Sequence, residues 1–502
     1  MSIKRLLPVL LILAPVVHAA ERNVIFYIAD DLGHYMGCYG YSKVHTPHLD
    51  SLAADGTLFT RAYATTASCS ASRSVIMTGL HNHANGQYGH AHDYHKFSSW
   101  PNCVTLSLPR VMSRAGYRTA LSGKYHVAPE KVFHYDKYLA ADGRDTFKLV
   151  DSCKPIIEEK SNKPFFLYIA TADPHRGGGR DPKSNLEFKP DVFGNRKDGS
   201  NIGEISEIKY KPEDVFVPPF LPDTPACREE LAHYYRSVSR VDQGLARLVQ
   251  ILKDAGVYDK TLIVVTSDHG MAFPGGKTTV YEPGLRVPFI VRNPYNTKRG
   301  VKCDALISHV DITPSLLDFA GGLDHSTNGP KDPLDAEAFW DAEKLDKKDN
   351  RGSKHLTRYH GKSWLSCLEK ESDPSRQAIH GSHTFHEIQM YYPMRCIRDE
   401  RYKLIWNIAN PLPFPFASDL WTSSAWQAQL KLGKDANYGV RTVGEYIQRP
   451  RFELYDMQYD TEERKNLAAD PAHAETLKLY QEKMKQFQQE LGDPWIQKWE
   501  YE

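Results

Sequence analysis

Residues 23–31 read NVIFYIADD: an unbroken apolar run closed by two carboxylates, Asp30 and Asp31. A strand with one wet face would alternate polar and apolar residues, so a continuous run of this length predicts a strand buried on both faces, as in a parallel sheet. Three further segments repeat the plan of an apolar run with a polar tail: YRTALSGKYH (117–126), FFLYIATADPH (165–175) and LIVVTSDHG (262–270). Helical patterns lie around them: TPHLDSLAADG (46–56) with Thr46 as its cap, VTLSLPRVMSRAGY (104–117) interrupted by Pro109, and the long REELAHYYRSVSRVDQGLARLVQILKDAG (228–256), stopped by Gly256. Strands alternating with helices predict a wound α/β sheet. In such sheets the ligand crevice lies at the carboxyl ends of the strands. Asp30, Asp31, Lys124, His126, Asp173, His175, Asp268 and His269 all fall there, so residues far apart in sequence are expected to meet.

Beyond residue 320 the texture changes. The segment from Gly321 to about Ser375 is polar and charged and reads as an exposed insertion or long connection. AIHGSHTF, PMRCIRDERYKLIWNI and RFELYDMQYD then read as antiparallel strands, with RDER as a turn, followed by an amphipathic helix in AHAETLKLYQEKMKQFQQEL. The expected division is a signal peptide at 1–20, a catalytic α/β domain at 21–375 and a smaller α+β domain at 376–502. Residues 1–20, MSIKRLLPVLLILAPVVHAA, carry a basic start, a short apolar run broken by prolines and a small-residue cleavage pattern. They predict a removed secretory signal and export to the periplasm or the medium, with the lysosome as the eukaryotic alternative, and no membrane span.

With 63 Lys and Arg against 62 Asp and Glu, the net charge is +1, which gives nucleic acid no electrostatic footprint. An anionic partner must be held by a local pocket. The eight cysteines are scattered without a C-x-x-C pair, so neither a zinc ribbon nor a thioredoxin motif is expected. One of them, Cys69, lies in TTASCSASRSVIMTG (65–79), a Ser-rich polar turn entering a helix, with Arg73 one turn further on. Backbone N–H groups and the arginine there favour anions and should lower the thiol pKa. Asp30, Asp31 and Asp268 form a hard-oxygen set suited to a divalent cation rather than to activating a thiolate.

The run Cys69-Ser70-Ala71-Ser72-Arg73, followed by Thr78-Gly79, resembles the signature of the sulfatase family, with Ala71 where proline is usual. IADD, GKYH, DPH and SDHG follow the family's order. The resemblance implies an alkaline-phosphatase-like fold: a wound, mostly parallel sheet flanked by helices, with a smaller C-terminal α+β domain on an antiparallel sheet. It implies that a formylglycine-generating maturation enzyme converts Cys69 to formylglycine. One hydroxyl of the aldehyde hydrate would attack sulfur and the other would expel sulfate. It also implies that Asp30, Asp31, Asp268 and His269, with residue 69, hold one divalent cation, Ca2+ by the hardness of the carboxylates. His269 stands where asparagine is frequent and softens that set. Arg73 and Lys124 would stabilise the nucleophile, His126 would take its proton during release, and Lys277 with His175 would face the sulfate.

GLHNHANGQYGHAHDYHKF (79–97), GKYHVAPE, ATADPHRGG, FVPPFLPDTPA, RVDQG, HEIQMYYPMR and NPLPFPF are similar, in order, to the branch of the family that cleaves the N–S bond of N-sulfated glucosamine at the non-reducing end of heparan chains. An amine anion is too basic to leave, so that reaction needs a proton donor at nitrogen, for which His175 is the candidate. Phosphate esters and phosphonates fit less well, because the second set of Asp and His ligands of a dinuclear site is not identifiable. The alternatives are an O-sulfatase on another sulfated glycan and an exported glycan-binding protein without turnover, should Cys69 stay a thiol. His386, Glu387 and Arg395 are candidate sugar contacts. The five histidines between 81 and 95 read as loop and pocket wall, since their spacings fit no zinc pattern. The sequence leaves the oligomeric state, monomer or homodimer, open.

Overall fold

The computed structural model describes residues 22–92, 95–176, 193–196, 200–343 and 356–501; the signal-peptide reading falls outside them. Its main sheet has eight strands in the order Val301–Cys303, Thr57–Phe59, Phe289–Arg292, Thr261–Ser267, Asn23–Ala29, Phe165–Ala170, Arg118–Gly123, Lys137–Leu139. The five from Thr261–Ser267 to Lys137–Leu139 are parallel, and Phe289–Arg292 runs against both its neighbours. The sheet is therefore the wound, mostly parallel one expected.

The apolar runs follow from burial on both faces. Ile25, Tyr27 and Ala29 enter one core, with Leu167, Ile169, Ile263 and Val265 and the long helix Pro225–Asp254. Val24, Phe26 and Ile28 enter the other, with Phe166, Tyr168, Leu262 and Val264. Side chains alternate across a strand, so a strand covered by helices on both sides is apolar over most of its length.

Three local expectations need correction. Thr46 precedes helix Pro47–Ala54 but does not cap it with its side chain. The N–H groups of His48 and Leu49 donate instead to Asp242 Oδ1, at 3.0 and 2.7 Å, from the long helix packed alongside. Pro109 does not interrupt a helix; it sits in the first turn of Leu108–Arg114, where its missing N–H costs nothing. The stretch 321–375 is not an exposed insertion throughout: Trp364, Cys367 and Leu368 are fully buried in the second core.

Strands Ala378–Phe385, Tyr391–Asp399, Tyr402–Asn407 and Phe452–Asp456 form an antiparallel sheet. Helix Ala474–Leu491 covers one face through Tyr480 and Met484 against Ile397, Leu404 and Trp406, while Cys396, Ile405 and Tyr455 face the main body. The first strand is tied to the segment before Cys69, since Ser382 N–H donates to Thr65 C=O at 2.7 Å. That bond brings the end of the smaller sheet to the edge where the parallel strands finish. All eight cysteines are free thiols.

Candidate active site

Cys69 is the first residue of helix Cys69–Thr78, every residue of which is buried. The Ser-rich stretch is thus a buried helix rather than a solvated turn. Its hydroxyls are satisfied internally: Ser74 donates to Ala71 C=O and Thr78 to Ser74 C=O, each at 2.7 Å, and Ser70 accepts from Ala91 N–H at 3.1 Å. Small side chains let this helix pass under the strand ends. Gly79, in the left-handed region at φ 64°, ends it.

Arg73, one turn on, lies on the same helix face and is fully buried. Its Nε donates to Asp268 Oδ2 at 3.0 Å, and Nη2 reaches Asp30 Oδ1 at 3.4 Å. Lys124, leaving strand Arg118–Gly123, donates to the other oxygen of Asp30. Burial alone would raise the Asp30 carboxyl, but Lys124, His175 and Arg73 outweigh it and hold the pKa well below the ordinary range.

The remaining acids are not so well provided for. Asp268 Oδ1 accepts from the N–H groups of Asp31 and His269, at 3.0 and 2.9 Å. His269 Nδ1 faces Gly270 C=O at 3.0 Å, and a carbonyl can only accept, so this nitrogen carries a proton and Nε2 is the one left to face the acids. Nε2 lies 3.1 Å from Asp31 Oδ1 and 3.3 Å from Cys69 Sγ. Asp31 Oδ1 has no hydrogen-bond donor. Burial, only partly offset by Lys277, pushes the Asp31 carboxyl up to about 6. Asp268 is raised as well, by burial and by Asp30. A cation between these atoms would relieve all of this. The donor sets Asp31, Cys69, His269 and Asp30, Cys69, Asp268 each converge within 4.8 Å, so the residues present fit a divalent cation.

Lys277 lies beside this cluster with three partners: Asp31 Oδ2 and His175 Nε2 at 3.1 Å and Asp419 Oδ2 at 2.9 Å. Asp31 and Asp419 overcome its burial and raise its pKa well above normal. His175 Nδ1 meets the carbonyl of Arg176, so Nε2 accepts from Lys277. Burial and then Lys277 hold that imidazole well below its usual pKa. Asp173, at the same strand end, is consumed structurally by Arg144 at 2.7 Å and Arg240 at 2.6 Å. His126, in the left-handed region at φ 54°, is held neutral by burial and by Lys124.

Two expectations fail here. Burial pushes the Cys69 thiol pKa up, because loss of water outweighs Lys124 and Lys277. The unmodified thiol is therefore not an activated nucleophile. Arg395 is no sugar contact: its guanidinium is buried against Asp493 at 2.6 and 2.9 Å, with further bonds to the carbonyls of His383 and Met394. His386, by contrast, is brought to the site, its Nδ1 3.0 Å from Ser68 Oγ. Glu387 lies one residue on, half-buried, and takes a hydrogen bond from Gln389. Asp419 was not anticipated. An Asp in FASDLW reads as an ordinary residue of a helix start, and nothing local connects it to Lys277, 142 positions away.

Residues 22–322 match the sulfatase family model. The chain is 36% identical over 499 residues to human N-sulphoglucosamine sulphohydrolase, covering 97% of this chain and 94% of the human one. A solved protein in complex with its substrate D-glucosamine-2-N,6-O-disulfate superposes with a TM-score of 0.61 at 21% identity, covering 94% of this chain and 98% of the other. The phosphonate monoester hydrolase of Agrobacterium radiobacter superposes at 0.58 with 20% identity, over 94% and 96% of the two chains. These likenesses at low identity establish the alkaline-phosphatase-like fold.

Proposed function

The chain belongs to the sulfatase family and is a hydrolase, and from that premise we propose that it removes the N-sulfate of N-sulfoglucosamine at the non-reducing end of heparan-type glycans. The observation that carries the reading is the convergence of Asp30, Asp31, Asp268 and His269 on residue 69, with an orphaned carboxylate oxygen of Asp31 lying 3.1 Å from His269 Nε2. The 36% identity to N-sulphoglucosamine sulphohydrolase supplies the substrate class.

On this reading Asp30, Asp31, Asp268 and His269, with residue 69, hold one divalent cation, Ca2+, which would polarise the sulfate oxygens. Formylglycine at position 69, made by a maturation enzyme, would supply a nucleophile that carries its own release mechanism. Arg73, pinned by Asp268 and Asp30, and Lys124 provide fixed positive charge beside it. Lys277 and His175 face the sulfuryl group. His175 delivers the proton to nitrogen: the negative charge of a bound sulfate raises its depressed pKa, so that it takes up a proton together with the substrate. His126, neutral in this environment, accepts the proton of the release step. His386 and Glu387 border the site on the side of the smaller sheet. The same reading divides the chain into a signal peptide at 1–20, a catalytic part at 21–375 and a smaller part at 376–502, and takes it out of the cell's interior. No helix of the described residues is long and apolar enough to cross a membrane.

Intact-mass analysis of protein from its native host tests the nucleophile: an unmodified cysteine at position 69 defeats the reading. Sulfate release from glucosamine N-sulfate and from glucosamine 6-O-sulfate tests the bond. Faster release from the N-sulfate is expected, and release from the 6-O-sulfate alone makes the protein an O-sulfatase.

A further inference from the structure

The histidines of residues 79–97 separate into two groups in space. His81 and His83 lie against Phe487 of the C-terminal helix. His90 and His92, with the His95 ring 6.0 and 5.5 Å from theirs, instead meet His126, which comes from the end of strand Arg118–Gly123. The three rings form a near-regular triangle with centroids 4.8, 5.0 and 4.7 Å apart, and one nitrogen of each lies within 4.8 Å of the other two. His92 Nδ1 and His126 Nε2 face each other at 2.5 Å, so at most one proton lies between them. His90 is 6% exposed, and neither of its ring nitrogens has a hydrogen-bond partner; the buried Nδ1 of His126 has none either. Unpaired buried ring nitrogens cost stability unless something binds them.

We propose that His90, His92 and His126 form a second metal site, distinct from the carboxylate cation site, that takes a borderline transition-metal dication of the Zn2+, Cu2+ or Ni2+ class. Tetrahedral coordination at about 2.0–2.1 Å puts ligand nitrogens about 3.3 Å apart, which small ring rotations reach from the observed triangle. The scaffold is already set: His90 N–H donates to His386 C=O and Phe97 N–H to His90 C=O, both at 3.0 Å, and Ala91 N–H is held by Ser70 at 3.1 Å. Burial keeps His90 and His126 neutral, the form a metal requires. The donor set contains no carboxylate and lies near Lys124, which disfavours Ca2+ and Mg2+ and leaves metals that prefer imidazole. The spacing of the histidines in sequence concealed the set, because the third ligand lies 34 positions from His92. On the reading given under Proposed function, occupancy ties up His126 and inhibits turnover.

The test is a calorimetric titration of the calcium-saturated full-length protein with Zn2+, with Co2+ and its visible ligand-field spectrum as a second probe. The proposal expects one Zn2+ per chain, at least about tenfold weaker binding in His92→Ala and His92→Gln, and unchanged binding in His269→Ala. His92 is exposed, so neither of its variants disturbs the core. Zn2+ that binds equally well to the His92 variants, that is lost only in His269→Ala, or that does not bind at all overturns the proposal. The isotherm needs no turnover: an inactive protein with an intact isotherm refutes the functional reading alone, and an active protein without one refutes the metal site alone.

Discussion

Arg395 and Arg73 are both buried against carboxylates, and they differ in what they leave over. Arg395 meets Asp493 through two N–H···O bonds of 2.6 and 2.9 Å, while Gln488 Nε2 and Trp495 N–H complete the carboxylate at 3.0 and 3.1 Å. The Asp493 pKa is driven well down, Arg395 outweighing burial. Arg73 serves two aspartates at once, and beside them Asp31 Oδ1, 3.1 Å from His269 Nε2, has no hydrogen-bond partner. The first cluster is closed and can only hold the fold together. The second leaves a buried acceptor unpaired and donors converged as a cation would need them. Burial is common to both, so what sets the two clusters apart is the balance of donors and acceptors.

The largest break in this comparison comes from Cys69→Ser, made in a host with no maturation enzyme for serine. Turnover of glucosamine N-sulfate should fall by at least about a thousandfold, because no self-releasing nucleophile remains. The melting temperature should stay near that of the parent, since the substitution is close to isosteric at the start of the helix. Retained turnover would contradict the mechanism.

Asp493→Asn should act in the opposite way. Removing one partner of a buried pair leaves the Arg395 charge uncompensated, at a cost of about 3 kcal/mol in denaturant titrations at neutral pH, with the specific activity of the folded protein unchanged. The depressed pKa of Asp493 fixes the sign of the pH dependence. Its contribution is present above the unfolded carboxyl pKa of about 3.9 and disappears as pH falls through the lower folded value. The gap between parent and variant should therefore narrow below about pH 4; a gap that widens on acidification would show that Asp493 is not the stabilising partner.

The same balance explains what could be read from the sequence. NVIFYIADD and its three companions announced the parallel sheet because strands covered on both faces are apolar over most of their length, and the chain after each had to emerge on one edge. Asp30, Asp31, Asp268 and His269 were legible for that reason. Arg395 was misassigned because its block resembles a family pattern as a whole, while its partner Asp493 lies 98 positions away and no local pattern links them. Trp364 was hidden in a stretch whose average composition is polar, though the residue itself fills the second core. The thiol of Cys69 was expected to be acidic from its helix position, and only the three-dimensional structure shows how completely water is excluded from it.

Asp419 gives the smallest and finest test, because it stands between the two kinds of cluster. It is bonded to Lys277 at 2.9 Å, and that lysine's other partners, Asp31 and His175, belong to the reactive set. Its own pKa falls to about 2, since Lys277 and His175 outweigh its burial. Its negative charge in turn raises the pKa of both Lys277 and His175. Asp419→Asn keeps the shape but removes the charge, so Lys277 is held less firmly and protonated His175 is disfavoured. The expected result is a loss of about tenfold in kcat/KM, below the hundredfold that gross misplacement would bring, with the melting temperature nearly unchanged. The pH profile separates positioning from simple packing: the limb set by His175 should move toward acid, because neutralising Asp419 lowers the pKa of the imidazole. A profile that keeps its shape while the melting temperature drops would assign Asp419 to the closed, structural kind of cluster instead.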